Sequence, residues 1–367
     1  MKKRIQQVAA FLVAACLLCS GVPHAQALSV SASHAILMDA ASGRVLYEKD
    51  ADARSLIAST TKIMTALVVC RQCNVLSRVE IMPEAVGIEG SSMYLREGEV
   101  LTVQELLYGM MLHSGNDAAT ALAIYCGGTV EGFAGLMNDE ARRIGLENTH
   151  FENPSGLDSP DHYSTARDLA KLTAEAMSDP IFSKTVSTRS MTVGERSLTN
   201  HNKLLWRYDG ADGVKTGYTK AAGRILVSSA QRDGRRLICV TINAPDDWND
   251  HCRLLDYGFS QFQTKVLISK GQQMGSMTVL SGELGQASLL AAEEFSYPVA
   301  QNERVETRIG GTGFVYAPVT QGQEAGYAHI LVDGVPVGKV KLLFGETVML
   351  LPEPPKEKNW LQRLLER

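Results

Sequence analysis

Metal-binding patterns are missing from this chain. Its 8 histidines are scattered, and no HExxH run or paired His/Cys cluster occurs, so no metal and no other cofactor is expected. A surplus of either charge is missing too. The 36 basic residues stand against 40 acidic ones, a net charge of −4, which gives no general attraction to nucleic acid. Cysteine is sparse, with 7 in 367 residues. Loss of the leader described below would remove Cys16 and Cys19 and leave an odd number, so complete internal pairing is excluded. A chain of this size does not need disulfide staples. Cys70-Arg71-Gln72-Cys73 has CxxC spacing but no second pair nearby, and is read as ordinary helix cysteines rather than a redox or zinc motif. No internal repeat or low-complexity tract stands out.

What is present begins with a leader. Lys2, Lys3 and Arg4 supply positive charge, Val8 to Cys19 an apolar run, and Ala25-Gln26-Ala27 a small-residue cleavage site. The apolar run is too short for a comfortable membrane span. Residues 1–27 are therefore expected to be a signal peptide removed after Ala27, with the mature protein secreted. A lipoprotein-type cut before Cys16 is less favoured, because the apolar run continues past it.

The remainder is 45% hydrophobic overall, enough for a large core and two domains. "HAILMDAASGRVLYEKDADAR" reads as two strands turning at Ser42-Gly43. From Ser59 to about Cys70 the pattern is helical, and helical patterns dominate residues 100–185. "GRILVSSAQRDGRRLICVTINAP" predicts a β-hairpin around Asp233-Gly234, followed by a helix capped by Asp246 or Asp247. Past about residue 264 the chain reads as short strands, with a second Asp-Gly turn at Asp333-Gly334. The expected division is a mixed α/β domain over 28–263, a small all-β sandwich over 264–351, and a proline-rich spacer with a short tail over 352–367. On a helix, Trp360, Leu361, Leu364 and Leu365 of that tail would share one face, which fits peripheral contact with a membrane or packing against the sandwich.

Chemistry enters at "IASTTKIMTA", residues 57–66, where Ser59 precedes Lys62 by three positions in an apolar setting. Residues three apart on a helix lie nearly side by side, so the two side chains can touch. A serine hydroxyl is a poor nucleophile unless a base takes its proton, and a lysine becomes that base when its pKa falls. Burial, a second cation nearby and the positive end of the helix dipole all lower it. Two further triplets accompany this pair. Ser114-Gly115-Asn116 arrives 55 residues after Ser59, and Lys215-Thr216-Gly217 opens a strand 99 residues after Asn116.

SxxK, SxN and KTG in this order resemble the signature of penicillin-binding proteins and serine β-lactamases. The stretches "IASTTKIMTA", "SSMYLREGE", "SGNDAA", "DGVKTGYTKAAGRILVSSA" and "LLDYGF" resemble the low-molecular-mass D-alanyl-D-alanine carboxypeptidases in particular, and "NAPDDWNDH" looks like their sporulation-associated Firmicute members. The resemblance implies an antiparallel sheet with helices on both sides, and a carboxypeptidase that trims peptidoglycan stem peptides ending in D-Ala-D-Ala and is acylated by β-lactams. It implies Ser59 as nucleophile, Lys62 as general base, Ser114 as proton relay, and Asn116 orienting Lys62 and substrate. Lys215 and Thr216 would bind the substrate carboxylate. Gly217 completes that triplet, and the N–H groups of Ser59 and Tyr218 would hold the oxyanion.

Two departures and three rivals go with this reading. Some carboxypeptidases carry a histidine where this chain has Ser155, and some an arginine where it has "APDDWNDH", which leaves Lys215, Thr216 or Arg224 for the carboxylate and keeps endopeptidase activity open. A β-lactamase of class A would show an ExxLN loop between SxN and KTG, and "GLENTHFENPSGLDS" has none. A non-catalytic scaffold on the same fold would be expected to lack the nucleophile.

Overall fold

The computed structural model describes residues 28–311 and 313–353. The expected leader and the stripe around Trp360 lie outside these residues. β1 (His34–Asp39), β2 (Val45–Lys49), β7 (Ala211–Thr219), β8 (Gly223–Arg232) and β9 (Arg235–Ile242) pair into one antiparallel sheet in the order β2-β1-β9-β8-β7, with continuous buried runs in β1, β8 and β9. The intervening strands form two small pairs, β3 (Arg78–Glu80) with β4 (Val100–Thr102) and β5 (Ser190–Val193) with β6 (Arg196–Thr199), which the sequence reading passed over.

The sheet is apolar on both faces, because successive side chains point opposite ways. Ile36, Met38, Ile238 and Val240 join one core, whereas Ala35, Leu37, Leu237 and Cys239 join another. Helices must therefore cover both sides. On the first lie α1 (Lys62–Gln72), α2 (Val103–Leu112), α3 (Asn116–Gly127), α4 (Val130–Ile144), α5 (Ala166–Met177) and α6 (Pro180–Ser187); the short α7 (Leu204–Arg207) leads into β7, and α8 (Asp247–Gln261) covers the second side through Leu254 and Leu255. The β8–β9 turn has φ of 49° at Asp233 and 78° at Gly234, the paired positive values that a tight two-residue hairpin requires.

The chain leaves α8 directly into an all-β region. β10 (Phe262–Ile268) pairs with β13 (Phe295–Ala300). β11 (Gln273–Leu280), β12 (Gln286–Ala291), β14 (Val305–Gly310), β15 (Phe314–Tyr316), β16 (Glu324–Val332) and β17 (Val335–Phe344) form a six-stranded sheet over its own core, which includes Ile330, Leu342 and Phe344. Among the described residues no helix is long and apolar enough to cross a membrane.

Three local expectations need correction. Ser59 is not inside an α-helix but on a 3-10 turn, Ala58–Thr61, that leads into α1 at Lys62. The tighter winding eclipses positions i and i+3 and brings Ser59 over Lys62. Cys73 is not an ordinary helix cysteine: it is bonded to Cys126, while Cys70, Cys239 and Cys252 are free. Asp246 occupies the N-cap of α8 without a capping hydrogen bond. The Asp247 carboxylate instead takes two contacts from Arg224.

Candidate active site

Four segments far apart in sequence meet at the edge of the sheet, and each is pinned by its own polar contacts. The 3-10 turn brings Ser59, with Ala58 at φ 44° and Thr60 Oγ1 donating to Ile57 O at 2.6 Å. Behind it, Thr61 Oγ1 lies 2.7 Å from His162 Nε2. The Glu152 amide donates to His162 Nδ1 at 3.1 Å, so Nε2 carries the ring proton toward Thr61. Burial, with His150 adding to it, holds His162 down at about 4, so the ring is a neutral stay rather than a charge.

Lys62, the first residue of α1, is wholly buried. Its Nζ sits 2.9 Å from Ser59 Oγ, 2.6 Å from Asn116 Oδ1 and 2.8 Å from Ser155 O. Burial and then the charge of Lys215 push the amine well below its ordinary value, opposed by Asp117. The neighbours are fixed in turn. Asn116, first residue of α3, donates through Nδ2 to Glu89 O at 2.6 Å, which turns its oxygen toward Lys62. Asp117 accepts from the amides of Met93 and Leu95, each at 3.0 Å, and so holds the strand-like loop beside Asn116. The Ser155 carbonyl is aimed by Asn153, whose Oδ1 accepts from the amides of Ser155, Gly156 and Leu157 at 2.7–3.2 Å. Gly156 has φ 84°, and a Cβ there would overlap Ala58 O, so this loop closes against the Ser59 turn only with glycine.

The opposite wall is β7, an edge strand. Gly217 lets it approach: a Cβ there would stand 3.2–3.3 Å from Ile57 O, Ala58 Cβ and Thr60 Cγ2. Lys215 is buried, and its Nζ donates to Ser114 Oγ at 3.0 Å and to Thr216 O at 2.8 Å. Burial lowers it to about 7. Ser114 holds φ 63°, the left-handed conformation that turns its hydroxyl to Lys215 rather than along α3. A cavity of about 370 Å³ opens over these groups, lined by Ser59, Ser114, Thr216, Gly217 and the exposed Tyr218. All eight residues singled out from the sequence thus surround one cleft: Lys62, Asn116 and Lys215 beneath it, the other five on its surface. The groups present are two serine hydroxyls and two buried amines whose charged forms burial disfavours, a set that suits acyl transfer through a serine nucleophile.

Residues 22–246 match the peptidase S11 family, described as D-alanyl-D-alanine carboxypeptidase, and residues 262–349 match the C-terminal domain of penicillin-binding protein 5. This chain belongs to the D-alanyl-D-alanine carboxypeptidase family. It is 34% identical to D-alanyl-D-alanine carboxypeptidase DacF of Bacillus subtilis over 323 residues, covering 84% of this chain and 83% of that one. It is 35% identical to DacC of Escherichia coli over 342 residues, 88% and 86% of the two chains. Among solved structures, penicillin-binding protein 5 from Haemophilus influenzae superimposes with a TM-score of 0.77 at 31% identity, over 88% of this chain and 98% of that one. The Streptomyces K15 DD-transpeptidase superimposes with a TM-score of 0.61 at 37% identity, over 63% of this chain and 98% of its own length. The β-lactamase alternative is therefore set aside in favour of the carboxypeptidase family.

Apart from Arg224, already a carboxylate candidate in the sequence, several groups around this carboxypeptidase site carried no signal there. Ser155 acts through a backbone carbonyl, which any residue type could supply. Asn153, Asp117 and His162 work one layer out, and only folding brings them near. His201 lines the cleft beside Lys215, its ring 5.2 Å from that of His113, and burial followed by the Lys215 and His113 charges keeps it at about 4. Arg224 also lines the cleft, where both oxygens of Asp247 receive its Nη2 at 2.7 and 2.8 Å.

Proposed function

We propose that this chain is a secreted serine-type carboxypeptidase that removes the terminal D-alanine from peptidoglycan stem pentapeptides through an acyl-enzyme on Ser59. The observation that carries the reading is the set of three partners of Lys62 Nζ. Two of them, Asn116 Oδ1 and Ser155 O, are carbonyl oxygens that can only accept. As an ammonium, Nζ donates to all three; once neutral, it keeps two N–H groups for the carbonyls and turns a lone pair to the third partner, the Ser59 hydroxyl at 2.9 Å. Lys62 is then poised to take the serine proton.

In this reading Ser59 Oγ attacks the carbonyl between the two D-alanines as its proton passes to Lys62. The oxyanion rests on the N–H groups of Ser59 and Tyr218, a type of stabilisation worth roughly two to three orders of magnitude per donor. Ser114, polarised by Lys215, passes a proton to the departing amine. Lys215 and Thr216 receive the terminal carboxylate. Arg224 is the next cation available to it, placed at the cleft by Asp247. Water then releases the trimmed peptide, with Lys62 again the base. A β-lactam acylates the same hydroxyl, but its leaving amine stays tethered, so the adduct persists.

The same proposal divides the chain into a leader over 1–27, a catalytic domain over 28–263, a β domain over 264–351 and a proline-rich spacer with a short tail over 352–367. Mass spectrometry after penicillin exposure tests the chemistry. A covalent adduct on the peptide containing Ser59, with D-alanine released from a D-Ala-D-Ala pentapeptide, is expected. An unlabelled protein that releases no D-alanine would overturn it in favour of a binding scaffold, and rapid penicillin turnover would favour a β-lactamase.

A further inference from the structure

The two helices that begin at the site also end together. α1 starts with Lys62 and α3 with Asn116, and those side chains meet at 2.6 Å. The far ends are joined by the disulfide from Cys73, the C-cap of α1, to Cys126, next to the last residue of α3. With 11 and 12 residues, the helices are bars on the order of 17 Å long, tied at both ends. The disulfide closes a segment of 53 positions that contains Ser91, Ser114, Asn116 and Asp117. The buried part of α3 is rich in alanine, at 118, 119, 121 and 123, so it has few large side chains with which to key into α1.

We propose that the Cys73–Cys126 disulfide is a positioning element of the active site, holding α3 in register along α1 so that Asn116 Oδ1 stays against Lys62 Nζ. The proposal rests on Lys62 being the base. It makes full acylation a property of the oxidised protein. A dithiol reductant transfers two electrons and two protons to the bond, giving two thiols here and a disulfide on the reductant. The SxN segment is then held by packing and its local hydrogen bonds, Asn116 Nδ2 to Glu89 O and the Met93 and Leu95 amides to Asp117, with no covalent tie at the far end of α3. Cys70 is the internal control, a neighbouring free thiol that is not part of the bond and whose pKa burial pushes up to about 12.

The charged and titratable groups around Lys62 are Lys215 from β7 and Asp117 from α3, with His162 behind Thr61. None of them moves on reduction except through the register of α3. The test is the rate of acylation by a fluorescent penicillin, measured across pH on the full chain when oxidised, reduced with dithiothreitol and reoxidised. It is run well below the melting temperature, alongside Cys73→Ser/Cys126→Ser and Cys70→Ser. The reduced protein and the double variant should acylate about tenfold more slowly. Their acidic limb should move to higher pH, because water reaching a loosened Lys62 disfavours the ammonium form less. Reoxidation should restore both, and Cys70→Ser should match the parent. Should the double variant fail to fold, the reduced and reoxidised parent supplies the comparison. A reduced protein with a lower melting temperature but an unchanged rate and limb would overturn the proposal, leaving the bond structural only. Alkylation showing all of Cys70, Cys73 and Cys126 free in the isolated protein would also overturn it. Failure of the oxidised parent to label would overturn the assignment of Lys62 itself, and this inference with it.

Discussion

The two halves of the chain bury different things. Among the described residues, every buried polar or charged side chain lies at or before His251, Lys62 and Lys215 included, and none lies in the all-β region that follows. There the core is Ile, Leu, Val, Ala, Met and Phe throughout. The strained backbone divides the same way. Ala58, Tyr94 and Ser114 have positive φ around the site, whereas in the β region the non-glycine cases, Ser281 and Asp333, are at turns. Burying an ammonium or holding alanine in a left-handed conformation is unfavourable, and persists where surrounding structure enforces it. The catalytic half gives up stability to hold buried amines; the core of the β half carries no such cost.

The largest effect that would break this contrast is at the nucleophile. Ser59→Ala should abolish penicillin labelling while leaving the thermal transition in place, and residual labelling at another serine would remove Ser59 from its role. Lys62→Ala comes next. Acylation should fall by about two to four orders of magnitude, the usual contribution of a general base. Its thermal stability should not fall in proportion, since the variant no longer buries an amine whose charged form is disfavoured.

Lys215→Ala should slow acylation by about 10- to 100-fold, the scale of one charged hydrogen bond, and it should also reshape the pH profile. Lys62 must be uncharged to accept a proton, so the rate rises as pH climbs through its lowered pKa. Lys215 helps lower that pKa, so its removal should move the acidic limb to higher pH. In the parent, Lys215 itself loses its charge as pH rises through about 7, giving an alkaline limb that the variant should lack. An unchanged profile would mean that the two lysines do not communicate.

The β half should respond in the opposite sense. Leu342→Ala in its core should cost about 2–5 kcal/mol of stability, read by denaturant unfolding. Its penicillin acylation at temperatures below unfolding should match the parent. The smallest effect is expected at the seam. Arg44 of the β1–β2 turn ion-pairs with Glu303 and lies 5.1 Å over the Phe262 ring and 5.2 Å over that of Tyr297. Arg44→Ala should cost about 1 kcal/mol and leave acylation untouched.

Much of this was readable in advance because some chemistry depends on side-chain identity at fixed spacing. Ser59 and Lys62 are one turn apart in either helical winding, 3-10 or α, and the Asp233-Gly234 turn requires residues that tolerate positive φ. The Ser155 carbonyl gave no such signal, since the group it offers is common to all residues. Its direction comes from Asn153 gathering three amides, a local event that becomes functional only against Lys62. The Cys73–Cys126 bond was missed for a related reason. CxxC spacing drew attention to Cys70, whereas the true partner is brought in by the way α3 packs along α1.

The sequence by itself determined which side chains are candidates to react, because Ser59, Lys62 and Lys215 stand in a fixed order and spacing, and the resemblance carried by those motifs implied a sheet with helices on both sides. The tertiary structure alone decided how the amine of Lys62 is set. Its lowered pKa comes from burial on every side and the nearby Lys215, opposed by Asp117, and the groups that enclose it arrive from segments separated by 54, 93 and more positions along the chain. A pKa depends on surroundings in three dimensions, and no linear pattern of residues records them.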